Sequence, residues 1–326
     1  MGVLGWILLC IVLVIAVLCL VVVGISRLYY KRSVMSTLVE RVLSSSGSKK
    51  LLLSEEGANE YIRQKSELSR PPYRIPEAVK LEVETEERQE FGMQVFFLNE
   101  KGKSDTLIFY IHGGAYISPP ANEHLKLCNR IAKDLDAAVI FPVYSKVPEH
   151  TAKDAYEEMM ALYLSYAEKF SKIVFMGDSA GGGLALGLAQ VLRDTGERQP
   201  DQLILLSPWV DVSMDNQEMA KYEKADPMLG IYGLKKVGAL WAGKWDVHDS
   251  KASPAYGDMS GLCPVTVFVG TREIFYPDIM RLHAKFEEQH VTCALHVGQG
   301  QNHVYPLYPT PEAAKAVQII EKAILS

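Results

Sequence analysis

Residues 173–183 read Ile-Val-Phe-Met-Gly-Asp-Ser-Ala-Gly-Gly-Gly. A short apolar run ends in Gly-x-Ser-x-Gly, and a helix-like segment (residues 184–193) follows at once. A serine in this setting sits on a tight strand-to-helix turn. Gly177 and Gly181 leave room for the turn, and the helix N-terminus favours negative charge developing beside Ser179. The chemistry is nucleophilic attack by the Ser179 hydroxyl on a carbonyl carbon. Such an attack needs N–H donors for the oxyanion that forms. Upstream, the strand-like run 106–111 ends in His112-Gly113-Gly114-Ala115-Tyr116. Gly113 and Gly114 lack Cβ atoms and can turn their N–H groups toward a substrate oxygen. The N–H of Ala180 is a third donor. Gly-x-Ser-x-Gly alone is a weak sign, because glycine is common; the strand before it and the helix after it give it weight.

The serine needs a histidine base and an acid to orient that base. On a strand–turn–helix elbow of the α/β-hydrolase kind the chain order is serine, acid, histidine. His112 precedes the serine and is read as a loop-shaping residue. Four histidines follow the candidate acid: His283, His290, His296 and His303. The first two lie in a charged helical segment (279–290) and His296 in a short strand (293–297). His303 lies in the loop 298–303 just past that strand, from which an imidazole can reach the serine, and is the expected base. The acid is expected at the end of the preceding strand (265–269), where Glu273 is nearest. Asp278, which follows a proline and reads as a helix-start residue, is the runner-up.

These motifs resemble the hormone-sensitive-lipase family of α/β-hydrolases, which includes bacterial carboxylesterases and arylacetamide deacetylases. The likeness runs from about residue 81 to the C-terminus. It rests on His112-Gly113-Gly114, on the Gly-Asp-Ser-Ala-Gly-Gly elbow at 177–182, and on Pro148-Glu149-His150. Ser207-Pro208-Trp209 and Ala225-Asp226-Pro227 add to it. Ala115 stands where a third glycine is common, and Tyr144-Ser145-Lys146-Val147 departs from the usual Tyr-Arg-Leu-Ala. Glu273 stands where many relatives carry Asp. The resemblance implies a serine carboxylesterase for short- to medium-chain acyl esters, with triad Ser179, His303 and Glu273 and no metal or organic cofactor. It also implies a helical cap built from N-terminal helices and an insertion after the sixth strand, here at about 214–255. Tyr116 and, within the insertion, Tyr232 and Trp241 are candidates for the wall of a pocket under that cap; the insertion set also includes Met228, Leu229, Ile231, Leu240 and Trp245. An amidase or deacetylase would use the same triad. A non-catalytic small-molecule binding protein is disfavoured because serine, acid and histidine all remain.

The elements that must position these residues alternate along the chain. Strand-like runs lie at 91–98, 106–111, 137–143, 172–176, 202–206, 265–269 and 293–297. Helical segments at 123–135, 152–169 and 311–324 alternate with them, which predicts a mainly parallel sheet flanked by helices. The chain has 326 residues, 48% hydrophobic and 22% charged, enough for one large α/β domain. A net charge of −5 and no basic stripe argue against nucleic-acid binding. Five scattered cysteines (Cys10, Cys19, Cys128, Cys263, Cys293) imply neither a metal site nor a disulfide framework.

Residues 3–23 are apolar and uncharged, long enough to span a bilayer as a helix. No Lys or Arg precedes them, so they read as a retained anchor rather than a cleaved signal. Arg27, Lys31 and Arg32 follow, and the positive-inside rule puts the catalytic domain on the cytoplasmic side. Deacetylase relatives carry an anchor with the domain on the opposite side. The expected organisation is an anchor (1–25), a linker with cap helices at 35–43 and 56–68 (26–78), and the hydrolase domain (79–326).

Overall fold

The computed structural model describes residues 2–326. At its centre lie eight strands: β1 Thr85–Glu90, β2 Met93–Leu98, β3 Thr106–Ile111, β4 Ala138–Val143, β5 Lys172–Asp178, β6 Gln202–Leu206, β7 Val265–Gly270 and β8 Cys293–Gly298. They are ordered β1-β2-β4-β3-β5-β6-β7-β8. The first two pairings (β1·β2 and β2·β4) are antiparallel, and β4 through β8 run parallel. β1 has no counterpart among the expected strands. Its sequence, Thr-Glu-Glu-Arg-Gln-Glu, carries no apolar alternation. It pairs with β2 through a two-residue turn at Phe91-Gly92, where both φ angles are positive (50° and 83°). The strand expected from residue 91 therefore starts at Met93. A charged edge strand of this kind also deters pairing with other chains.

The helices are α1 Val3–Gly24, α2 Val34–Ser45, α3 Ser48–Leu51, α4 Glu55–Ser69, α5 Asn122–Leu135, α6 Ala152–Tyr166, α7 Ser179–Thr195, α8 Ala220–Glu223, α9 Ile231–Ala242, α10 Tyr276–Glu288 and α11 Pro311–Leu325. Strand period two sorts the core onto the two faces of the sheet. Leu107, Phe109 and Ile111 of β3 join the cluster that contains α6, α7 and α10. Ile108 and Tyr110 join the cluster that contains α5 and α11. The expected doubly covered, mainly parallel sheet is what the chain forms.

Above the C-terminal ends of the strands, α2–α4 meet α9 and the rest of the insertion. α3 and α9 approach so closely that Gly233 donates its N–H to the Leu52 carbonyl (2.8 Å). Nearly all the described residues of α1 are exposed, and the helix continues through one π-helical turn, Ile25–Tyr29. Its 22 residues rise roughly 33 Å at 1.5 Å each, about the thickness of a bilayer's hydrocarbon core. By length and composition it can cross a membrane.

Candidate active site

Four loops converge at the C-terminal ends of β3, β5, β7 and β8, where open α/β sheets place their ligands. β5 ends at Asp178, and α7 begins at the next residue, so Ser179 occupies the elbow with φ +51°. A left-handed non-glycine residue is strained, and the surroundings hold it there. A Cβ on Gly181 would lie 2.0 Å from the Ile111 carbonyl oxygen, which explains the glycine two residues after the serine.

His303 comes from the loop after β8. Its Nε2 is 2.9 Å from Ser179 Oγ and its Nδ1 is 2.6 Å from Glu273 Oε2. With Nδ1–H donating to the carboxylate, Nε2 is the bare nitrogen and accepts from the serine hydroxyl. The other carboxylate oxygen of Glu273 accepts the Gly270 N–H (2.6 Å) and the Ser207 hydroxyl (2.7 Å). Ser207 in turn accepts the Val304 N–H (3.0 Å), which aims its hydroxyl proton at Glu273. The chain of bonds therefore fixes the acid before it meets the base. Burial alone would push the His303 imidazole down. Glu273 outweighs that, with Asp226 and Asp178 adding to it, and holds His303 above the ordinary histidine value.

Asp278, the runner-up acid, bonds Asn216 (2.6 Å) in the first turn of α10 and is not joined to His303. His283 is half-buried beside Glu287, His290 is exposed, and His296 stacks on Phe268. His112 is fully buried against Tyr144 (ring centroids 4.7 Å apart), consistent with shaping its loop.

The oxyanion loop departs from expectation. The Gly113 N–H is already committed, donating to Asp178 Oδ1 at 2.9 Å. Among the described residues no acceptor takes the N–H of Gly114 or Ala115, and both residues line the cleft beside Ser179. Ala180 lies in the first turn of α7, where N–H groups have no partner within the helix. The available donors are therefore Gly114, Ala115 and Ala180, with Ala115 in place of Gly113. Ala115 reaches this geometry at φ +54° despite its Cβ. Asp178 holds the loop: it also accepts from Tyr110 (2.9 Å) and faces His124 Nε2 (3.1 Å). Burial works against its charge. His124, the Gly113 N–H and Tyr110 outweigh it and keep the carboxyl below the usual range.

The cleft over Ser179 and His303 encloses about 410 Å³. Its walls are Leu43, Leu52, Tyr61 and Leu68 from α2–α4, Met228, Leu229 and Leu234 from the insertion, and Trp209, Phe275, Val304, Leu307 and Tyr308 from the core. The three expected wall residues are elsewhere. Tyr116 and Trp241 are buried and stack face to face, 3.7 Å apart, as packing under the cap. Tyr232 is 43% exposed on the outer side of α9. Of the insertion set, Met228 and Leu229 reach the cleft.

Sequence reasoning missed Ser207, Asp178 and Asp226 as supports. Asp226 is buried, accepts the N–H groups of Met228, Leu229 and Ile274, and ties the insertion to the loop that carries Glu273. Burial pushes it up to about 6. Each of the three stands inside a motif already noted, and that is the signal that pointed to them.

The sequence pattern of the alpha/beta hydrolase fold family matches residues 108–307. An esterase of Acinetobacter venetianus is 30% identical over 227 residues, covering 68% of this chain and 75% of that protein. An acetyl-hydrolase of Streptomyces hygroscopicus is 27% identical, covering 65% of this chain and 73% of that protein. A solved esterase of the bacterial hormone-sensitive lipase family shares the fold, with a TM-score of 0.76 and 24% identity over 90% of this chain and 98% of that one. With its helix-flanked parallel sheet and the serine elbow at the strand ends, the chain belongs to the α/β-hydrolases and is a carboxylic ester hydrolase.

Proposed function

We propose that the protein is a serine carboxylesterase of short- to medium-chain acyl esters, held at a membrane by α1. Ser179 attacks the ester carbonyl as His303 takes its proton, and Glu273 holds the imidazole in the tautomer that can do so. The oxyanion is met by the N–H groups of Gly114, Ala115 and Ala180. His303 returns the proton to the departing alcohol. It then activates water, which releases the acid from the acyl-enzyme. The observation that carries this reading is the single imidazole bridging Ser179 Oγ (2.9 Å) and Glu273 (2.6 Å) in a buried cleft. The apolar cleft of about 410 Å³ suits an acyl chain of limited length. The domain reading follows: residues 26–78 and the insertion at about 214–255 act together as the cap.

The test is hydrolysis of p-nitrophenyl esters from acetate to laurate. Ser179→Ala and His303→Ala should each lower kcat by at least about 10³-fold. Wild-type rates in either variant would sink the mechanism. A folded wild-type protein that cleaves acyl amides and no ester would overturn the substrate class.

A further inference from the structure

The chain just after α1 reaches across the molecule to the loops that carry the acid and the base. The Arg32 side chain is fully buried. It donates to the Gly300 carbonyl (2.8 Å) and to Thr37 (3.1 Å) and pairs with Glu40 (2.5 Å). Glu40 also takes a two-pronged contact from Arg272, at 2.9 and 3.0 Å. Tyr30 lies between the two guanidinium groups, 4.5 Å from Arg32 and 4.6 Å from Arg272. Arg272 is the residue before Glu273, and Gly300 lies three before His303. The Arg272 N–H donates to the Gln301 carbonyl (3.0 Å), which joins the two loops directly. Ser36 bonds the Gln301 side chain (3.1 Å). Burial opposes the charge on Glu40, but the two arginines outweigh it and hold its carboxyl below the usual range.

An isolated surface ion pair contributes little. This one is different in kind: one carboxylate bridges two cations, and each cation is attached to a different catalytic loop. Losing Glu40 would leave a buried guanidinium facing another cation, and the two loops would be held only by their direct backbone contacts. We propose that Glu40, with Arg32 and Arg272, is a positioning device that sets the distance between Glu273 and His303. The stretch leaving the apolar helix thereby becomes part of the catalytic apparatus. The proposal rests on the Ser179–His303–Glu273 reading above.

The test uses the full chain in detergent micelles or nanodiscs. Glu40→Gln keeps the size and removes the charge. Expected are a fall in kcat of about ten-fold or more, KM within about two-fold because no cleft wall is touched, and an acid limb of kcat/KM moved to lower pH as the Glu273–His303 contact loosens. Wild-type kcat per phosphonate-titrated serine and an unmoved limb, with a lower melting temperature only, would show a merely structural ion pair and overturn the proposal. If Glu40→Gln fails to fold, Arg272→Lys, which keeps the charge and loses the fork, is read by the same criteria. Ser179→Ala and His303→Ala separate the two levels. Activity retained in them rejects the triad, whereas activity lost in them but intact in Glu40→Gln rejects only the positioning role.

Discussion

Ser179 and His303 meet through one hydrogen bond, and what makes that contact useful is the charge behind the imidazole. Glu273 raises the proton affinity of His303, so the base becomes neutral only above the ordinary histidine range. In the proposed mechanism activity needs the neutral imidazole and should therefore rise with pH through a limb above about 6.5. Glu273→Gln removes the charge that raises the value. The expected outcome is a limb shifted to lower pH and a kcat reduced by about 10²- to 10⁴-fold, read from a pH–rate profile. An unmoved limb would show that another group sets it. Gly113 makes a different case. Its N–H serves Asp178, and a Cβ there would lie 2.2 Å from Asp178 Oδ2 and 2.8 Å from the Asp178 carbonyl oxygen. Gly113→Ala must displace the loop that presents the Gly114 and Ala115 N–H groups. Steady-state kinetics should show kcat falling by about 10-fold or more with KM little changed.

The cleft is closed over by helices distant in sequence. α3 and α9 touch at Leu52 and Gly233, and the cleft wall is drawn from both sides of that seam. Two substitutions in the insertion should then behave oppositely. Trp241 is 1% exposed and stacks on Tyr116. Trp241→Ala should cost about 3–5 kcal/mol in chemical denaturation and leave the acyl-length preference unchanged. Leu229 lines the cleft. Leu229→Trp should move the preferred p-nitrophenyl ester toward shorter acyl chains at nearly wild-type stability. A reversed pattern would mean the wall has been drawn in the wrong place.

For the molecule as a whole, the boundary between the apolar helix and the folded enzyme does not coincide with the end of the apolar run. Arg32, one of three basic residues flanking that run, is buried in an ion pair, and Arg27 and Lys31 are the two left exposed. Positive charge available to face lipid is thus smaller than the sequence count suggests, and so is the charge bias that would hold the catalytic domain on the cytoplasmic side. A chain beginning at residue 25 should leave the membrane fraction on sedimentation and retain most of the esterase rate. A chain beginning at residue 34 should lose about ten-fold more, because it lacks Tyr30 and Arg32. Equal rates in the two would show that the segment contributes nothing to the site.

The strand–turn–helix elbow and the parallel helix-flanked sheet are legible in the sequence because each is written in local spacing. Apolar runs of five or six residues, glycines around a serine and a loop after the last strand need no knowledge of distant partners. β1 was not legible, since its six polar residues acquire a strand's geometry only by pairing with β2. The donor left free on the oxyanion loop was decided by Asp178, 65 residues from Gly113. The cleft wall depended on α2–α4 folding over the strand ends, which turned Trp241 and Tyr116 into packing. The placement of the Arg32 side chain depended on a contact spanning 268 residues. Which polar groups consume one another, and which apolar side chains are left facing a cleft, is settled only when the chain has closed on itself.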